Sequence, residues 1–212
     1  MSIQERKSGI IGLNAIILCS TKYQRKKMNE PIIIQTERLI LKGVNPAKIH
    51  ELFEHHSPEE IMAFLGIDES GLPHYQNMHE RGMETNRLSL FFFLLISKQT
   101  GLPLGDCGFH TWNSTHRRAE LFYGLHHEED KRQGYMKEAL HAVLKYGYEH
   151  LGLHRIAALV GRENTPSVKL LRHYGFTFEG TMREDYVIDG ISQDSDCYSL
   201  LKQEWMQNNL IA

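Results

Sequence analysis

Between Glu128 and Met136 the chain reads Glu-Glu-Asp-Lys-Arg-Gln-Gly-Tyr-Met. This stretch lies between a strand-like run, Ala119 to Leu125, and a long amphipathic pattern, Tyr135 to Leu151. A strand that turns through a basic, glycine-containing loop into a helix start gathers unpaired backbone N–H groups. They meet at the positive end of the helix dipole, about half an elementary charge. Such a place holds a phosphate or a pyrophosphate. An ordinary strand-to-helix turn with a solvated charge run has the same pattern, so the loop takes its meaning from the rest of the chain.

The elements that must position this loop are legible in outline. Thr36 to Lys42 alternates as a first strand. Asn45 caps and Pro46 opens a helix whose apolar face is Ile49, Leu52 and Phe53. Pro58 opens a second helix over Glu59 to Leu65, and a third is expected near Tyr75 to Leu88. Ser89 to Ser97 is an apolar run and reads as a buried strand. Leu104 to Trp112 and Ala119 to Leu125 continue the meander as third and fourth strands. The helix from Tyr135 carries Met136, Leu140, Val143 and Gly147 on one stripe, which turns Met136 toward the core. Arg155 to Val160 is a fifth strand. Thr165-Pro166 begins a helix that Gly175 ends. Thr177 to Val187 and Ile191 to Leu201 are two long strands joined at Asp189-Gly190, a type I′ hairpin signal.

Composition narrows the class. The 212 residues carry 41% hydrophobic and 24% charged side chains, enough apolar material for a sizeable core, and a net charge of −2. That balance asks for neither nucleic acid nor an anionic membrane. Cys19, Cys107 and Cys197 lie far apart, without C-x-x-C spacing, as reduced thiols of a cytoplasmic protein would. The thirteen histidines are scattered and H-E-x-x-H is absent, so no metal is expected. Residues 1–35 read as a poorly ordered N-terminal extension with Met28 as the natural initiator. Ile10 to Cys19 is apolar, but it is too short to span a bilayer and no cleavage site follows it. Residues 36–205 are expected to form one α/β domain, and 206–212 a C-terminal tail.

The order of elements and four motifs resemble the GNAT acyltransferase superfamily, and within it the branch of ribosomal-protein N-terminal acetyltransferases specific for alanine or serine. The first motif is Thr-Glu-Arg-Leu-Ile-Leu at 36–41. The second is Gly108-Phe109-His110 with Arg118 to Leu125. The third is the loop itself, Lys131-Arg132-Gln133-Gly134-Tyr135-Met136, where the family pattern is Q/R-x-x-G-x-G/A. Lys131 and Met136 depart from it at both ends. The fourth is Arg162-Glu163-Asn164-Thr165-Pro166-Ser167, followed by His173-Tyr174-Gly175-Phe176. The resemblance covers about residues 36–203. It implies an α/β fold of the α+β type, a mixed, mostly antiparallel seven-stranded sheet splayed between strands 4 and 5 with flanking helices. It also implies acetyl-CoA as co-substrate. Its pyrophosphate would lie on the amides of Lys131 to Met136, and its pantetheine arm along Phe122, Tyr123, Gly124 and Leu125, with Asn164 bonding the arm.

Acetyl transfer needs a neutral amine, a polarised thioester and a stabilised thiolate. An α-amine of pKa about 7.7–8.0 is far easier to deprotonate than a lysine near 10.4, by about 3.5 kcal/mol. A protein N-terminus therefore manages with a modest base. Glu120 is one candidate for it. Glu184 and Asp185 are others, of which strand alternation lets only one face the cleft, and Asp185 is the one carried forward. The bland reading of Glu120 is an ion pair with Arg117 or Arg118. The resemblance gives Ser167 to the departing thiolate. The tyrosine that many GNAT enzymes place four residues before the Gly-Phe pair is replaced by Leu171, and Tyr174 lies on another helix face. His110, Trp112, Tyr123 and Tyr186 are substrate-side candidates, and Glu128 to Asp130 would draw a basic peptide. Direct attack in a ternary complex is expected, by a monomer or homodimer, on a ribosomal or other protein N-terminus. The alternatives are a polyamine or amino-sugar antibiotic as acceptor, or a non-catalytic acyl-CoA-binding module.

Overall fold

The sheet is built outward from β3, Ser89–Ser97. Its side chains leave by alternate faces, and both faces are covered. Phe92 and Leu94 join Val44, Ile49, Leu52, Ile61, Leu65 and Tyr75 in one buried cluster. Phe91 and Phe93 turn the other way, onto Tyr146, with ring centroids 5.4 and 5.2 Å apart. A strand buried on both sides loses its polar alternation, which is why this segment is apolar throughout. Each phenylalanine removed from water contributes roughly 1.5–3 kcal/mol.

This computed structural model describes residues 32–85 and 87–210. Among them are eight strands in the order β1-β2-β3-β4-β5-β6-β8-β7. They are β1 (Ile33–Gln35), β2 (Leu39–Val44), β3, β4 (Pro103–Asn113), β5 (Arg118–Leu125), β6 (Arg155–Gly161), β7 (Thr177–Ile188) and β8 (Ile191–Leu201). Every neighbouring pair is antiparallel except β5 and β6. Helices α1 (Pro46–His55), α2 (Pro58–Leu65) and α3 (Leu72–Arg81) cover one face of β3. Helix α4 (Tyr135–Glu149) covers the other and brings Gly147 against Phe109. Helices α5 (Thr165–His173) and α6 (Lys202–Leu210) complete the fold. The described residues from Ile33 onward form one compact unit.

The local rules hold at most element ends. Asn45 accepts from the Lys48 amide at 2.9 Å, and Ser57 with Glu60 forms a capping box. The hairpin residues Asp189 and Gly190 have φ of 50° and 78°, as a type I′ turn demands.

Four expectations change. The sheet has eight strands, because Ile33–Gln35, placed in the extension by sequence, pairs with β2 through Ile33↔Lys42. The first long strand runs from Leu39, and Thr36 to Arg38 form the turn before it. The third helix ends at Arg81, where Gly82 at φ 87° breaks it. Residues beyond 205 are not merely a tail, since α6 reaches Leu210. Its Trp205 is buried beside Tyr148 and Tyr174. The apolar run Ile10 to Cys19 and the proposed start at Met28 lie outside the described residues.

Gly108 has no room for a side chain: an added Cβ would sit 2.3 Å from Phe92 Cα and 2.5 Å from the Phe91 carbonyl oxygen. Both neighbours are backbone and cannot yield locally. Gly108→Ala should therefore cost about 2 kcal/mol or more in a urea titration. Arg155 clamps Glu179 with both guanidinium nitrogens across β8, and Ser199 adds a bond of 2.7 Å. These partners hold the Glu179 carboxyl down at about 2. A depressed carboxylate contributes stability above its unfolded value and loses it as pH falls toward its folded one. Glu179→Gln should therefore flatten the decline in melting temperature between about pH 4.5 and 2.

Candidate active site

β5 and β6 pair in parallel at only three positions, Arg118↔Arg155, Ala119↔Ile156 and Glu120↔Ala157. Beyond Glu120 they part, and among the described residues the edge of β5 from Leu121 to Leu125 faces no strand. Such an edge presents a row of backbone N–H and C=O groups. A groove of about 710 Å³ follows it, lined by Tyr123, Gly124 and Leu125 of β5, by the 131–136 loop, and by Asn164 and Ser167 of α5.

The loop begins with a 3-10 turn, Glu128–Asp130. Arg132 and Gly134 then adopt left-handed φ of 61° and 83° on either side of Gln133. Gly134 caps α4 without any side-chain bond to the first-turn amides. The residues that carry those amides line the groove, a fit for an anion. Lys131, Arg132, Gly134, Tyr135 and Met136 all line it. Gln133 does not, because its amide turns back to the Glu129 carbonyl at 2.5 Å. Met136 was expected in the core but is only half-buried and lines the groove, in the first turn of α4. The acidic run is partly neutralised: Lys131 pairs with Glu128 and holds that carboxyl below the usual range.

Where the strands part, a smaller cavity of about 230 Å³ opens between His110, Glu120, Phe122 and Tyr123 on the sheet and Asn164, Ser167 and Leu171 on α5. Glu120 stands directly across from His110 in the β4–β5 register, with Nε2 3.4 Å from Oε1. The arginines at 117 and 118 are not its partners; Arg117 reaches the Gly152 carbonyl instead. Phe122 stacks on His110 with centroids 5.6 Å apart, so its side chain floors this cavity and not the groove. Burial pushes the Tyr123 phenol up, partly offset by the Ser167 hydroxyl beside it. Asn164 accepts from the Ser167 amide at 3.2 Å and so caps α5 as well.

A third, outer cleft of about 1040 Å³ continues from Glu120 and Asn164 toward β7 and β8. Asp185 and Tyr186 line it. Glu184 does not: the register shifts between Met182 and Tyr186, and Glu184, at φ 52°, gives its amide to Asp194 at 3.0 Å. This bulge selects Asp185 for the cleft side. Glu163 and Asp194 add negative charge that sequence reading had not assigned to the site, opposed by Arg162. Trp112 lines none of the three cavities and buries its indole N–H without a partner. The register shifts between His110 and Asn113, with Thr111 at φ 51°, so the strand is irregular just where Trp112 lies.

The remaining reactive groups are occupied elsewhere. Tyr174 is buried and its hydroxyl donates to the Lys137 carbonyl; burial raises it to about 12. Cys107 is fully buried, which pushes its thiol up, and burial also raises Cys197. Among the described residues no group of three or more His, Cys, Asp or Glu is placed to hold a metal ion. No helix among them is long and apolar enough to cross a membrane.

This architecture has relatives. The acetyltransferase (GNAT) domain family matches residues 38–177. The N-acetyltransferase YoaA of Bacillus subtilis is 30% identical over 180 residues, covering 80% of this chain and 97% of the relative. The putative ribosomal N-acetyltransferase YdaF of the same species is 33% identical over 107 residues, 50% of this chain and 57% of the relative. A crystal structure of the spermidine/spermine N-acetyltransferase SpeG from Vibrio cholerae superposes with a TM-score of 0.60 at 21% identity, over 81% of this chain and 99% of that one. Enzymes of this family use acetyl-CoA, and the uncapped loop and unpaired strand edge suit it. Sequence and fold together place the chain in the GNAT family, as an acyl-CoA-dependent N-acetyltransferase.

Proposed function

We propose that the acceptor is the N-terminal α-amine of a protein, of the ribosomal kind, attacked directly in a ternary complex. One observation carries this reading. The three cavities share walls: Tyr123 and Ser167 line both groove and splay, Glu120 lines both splay and outer cleft, and Asn164 lines all three. A thioester arriving along β5 thus meets an amine arriving from the acidic side at the gap between the strands.

In this reading Lys131 to Met136 hold the pyrophosphate and β5 the pantetheine arm. Glu120, with His110 beside it, accepts the amine proton, and Asp185 steers the cation inward or relays the proton through water. Ser167 donates a hydrogen bond to the departing thiolate. Tyr186 walls the acceptor end, its hydroxyl crowding Gly161 so closely that an added Cβ there would lie 2.6 Å away. The open mouth admits a chain, and Glu163, Asp185 and Asp194 suit a basic segment. The likeness of YdaF, a putative ribosomal N-acetyltransferase, supports the same choice. A polyamine is the second reading, favoured by the same acidic lining and by the likeness in sequence to a spermidine N(1)-acetyltransferase of Vibrio cholerae, 30% identical over 97 residues.

The deciding measurement follows free CoA thiol over time with alanine- and serine-initiated basic peptides, spermidine and an aminoglycoside. The proposal expects the peptides to lead in kcat/KM, and spermidine leading by tenfold or more would replace it. Ser167→Ala should lower kcat about a hundredfold, the usual cost of removing a donor to developing negative charge, and a loss below about threefold would remove its role. Glu120→Gln should cost about a hundredfold in kcat if Glu120 is the base, and a loss below about threefold would remove that role. Cys107→Ala and Cys197→Ala should keep kcat within about threefold, since direct attack needs no thiol.

A further inference from the structure

The turn Thr36-Glu37-Arg38 lies behind the 131–136 loop and lines none of the cavities, yet its side chains converge on that loop. Arg38 Nη1 donates to the Gln133 carbonyl at 2.9 Å, and Nε donates to Glu138 Oε2 at 2.8 Å. The Arg38 guanidinium carbon sits 4.5 Å over the Tyr135 ring. Glu138 Oε1 accepts from the Arg38 amide at 2.7 Å and from the Thr36 hydroxyl at 2.5 Å. The turn is itself held from the other side. The Lys98 amide donates to the Arg38 carbonyl at 2.9 Å, and Lys98 Nζ to the Thr36 carbonyl at 2.6 Å. Residues 133, 135 and 138 are thereby tied to one arginine anchored in the sheet.

The geometry of one peptide gives this a consequence. Gln133 lies between two left-handed residues, and such backbone persists only where its surroundings hold it. A trans peptide is planar, with its C=O and the following N–H pointing in opposite directions. Holding the Gln133 carbonyl on the back of the loop therefore aims the Gly134 N–H toward the groove that Gly134 lines. Glu138 balances the arginine's charge, so the effect is on the direction of a donor more than on the field at the anion.

We infer that Arg38, with Thr36 and Glu138, is a positioning residue that sets the Gly134 amide for the diphosphate of the acyl carrier. The inference rests on the reading of this loop as the pyrophosphate site. It is tested on the full chain by calorimetric titration with CoA, and by comparing kcat/KM for acetyl-CoA with that for S-acetylpantetheine, which lacks the diphosphate. Arg38→Ala should weaken CoA about tenfold and cut the preference for acetyl-CoA over S-acetylpantetheine by a similar factor, the scale of one charge-assisted hydrogen bond. Arg38→Lys, with a single donor head in place of a fork, should recover only part of it. Thr36→Val, which leaves the arginine in place, should shift CoA binding in the same direction by about threefold, and carries the test if Arg38→Ala fails to fold. CoA affinity within twofold of wild type in a folded Arg38 variant would overturn the inference. So would an equal loss toward both acyl donors, which signals general destabilisation. A wild-type protein that does not bind CoA at all would instead overturn the pyrophosphate reading and the inference with it.

Discussion

The parting of β5 and β6 after three paired residues is the constraint on which the site depends. A strand inside a sheet satisfies its backbone groups on both sides, and an unpaired stretch must find partners elsewhere. Here the unpaired stretch is Leu121 to Leu125, and the gap beside it is bordered by Ser167 and Leu171 of α5. Each strand keeps its other edge paired alongside the gap. β5 is laddered to β4 up to Leu125, and β6 to β8 from Arg155 to Gly161. The first turns of the helices that follow, α4 and α5, both line the groove along β5.

Charge is distributed along this passage in one sense. At the groove end lie uncapped helix amides with Lys131 and Arg132; at the outer-cleft end lie Glu120, Glu163, Asp185 and Asp194. A polyanion and a cation are thus drawn to opposite mouths. The cavity between them is small, about 230 Å³, and hydrogen bonds such as those offered by Ser167 and Tyr123 are worth more there than in water.

Much of this was legible beforehand, for identifiable reasons. Asn45, Pro46, Ser57, Gly175 and Asp189-Gly190 announce their elements because capping and tight turns depend on a few neighbouring residues. The loop at 131–136 was found by its glycine and its bases. The misreadings share another cause. Met136 was placed by helix periodicity, which the first turn of a helix at a groove edge does not obey, and Trp112 by its strand, whose bulge at Thr111 takes it away from the cavities. Arg38 was quoted in a motif without a role, because its partners on the cradle loop, Gln133, Tyr135 and Glu138, are remote in sequence.

By itself the sequence determined the inventory: one α/β domain, a loop able to hold an anion, carboxylates and a hydroxyl on the elements around it, and a family resemblance. These follow from local patterning and are written in consecutive residues. Tertiary structure decided which of them meet. It set His110 across from Glu120, stood Ser167 beside Tyr123, chose Asp185 over Glu184 through a bulge, and carried Arg38 behind Gly134. Each of those outcomes depends on register, bulge position or packing between distant segments. Such contacts are settled by the whole sheet closing on its helices, and no short stretch of chain contains them.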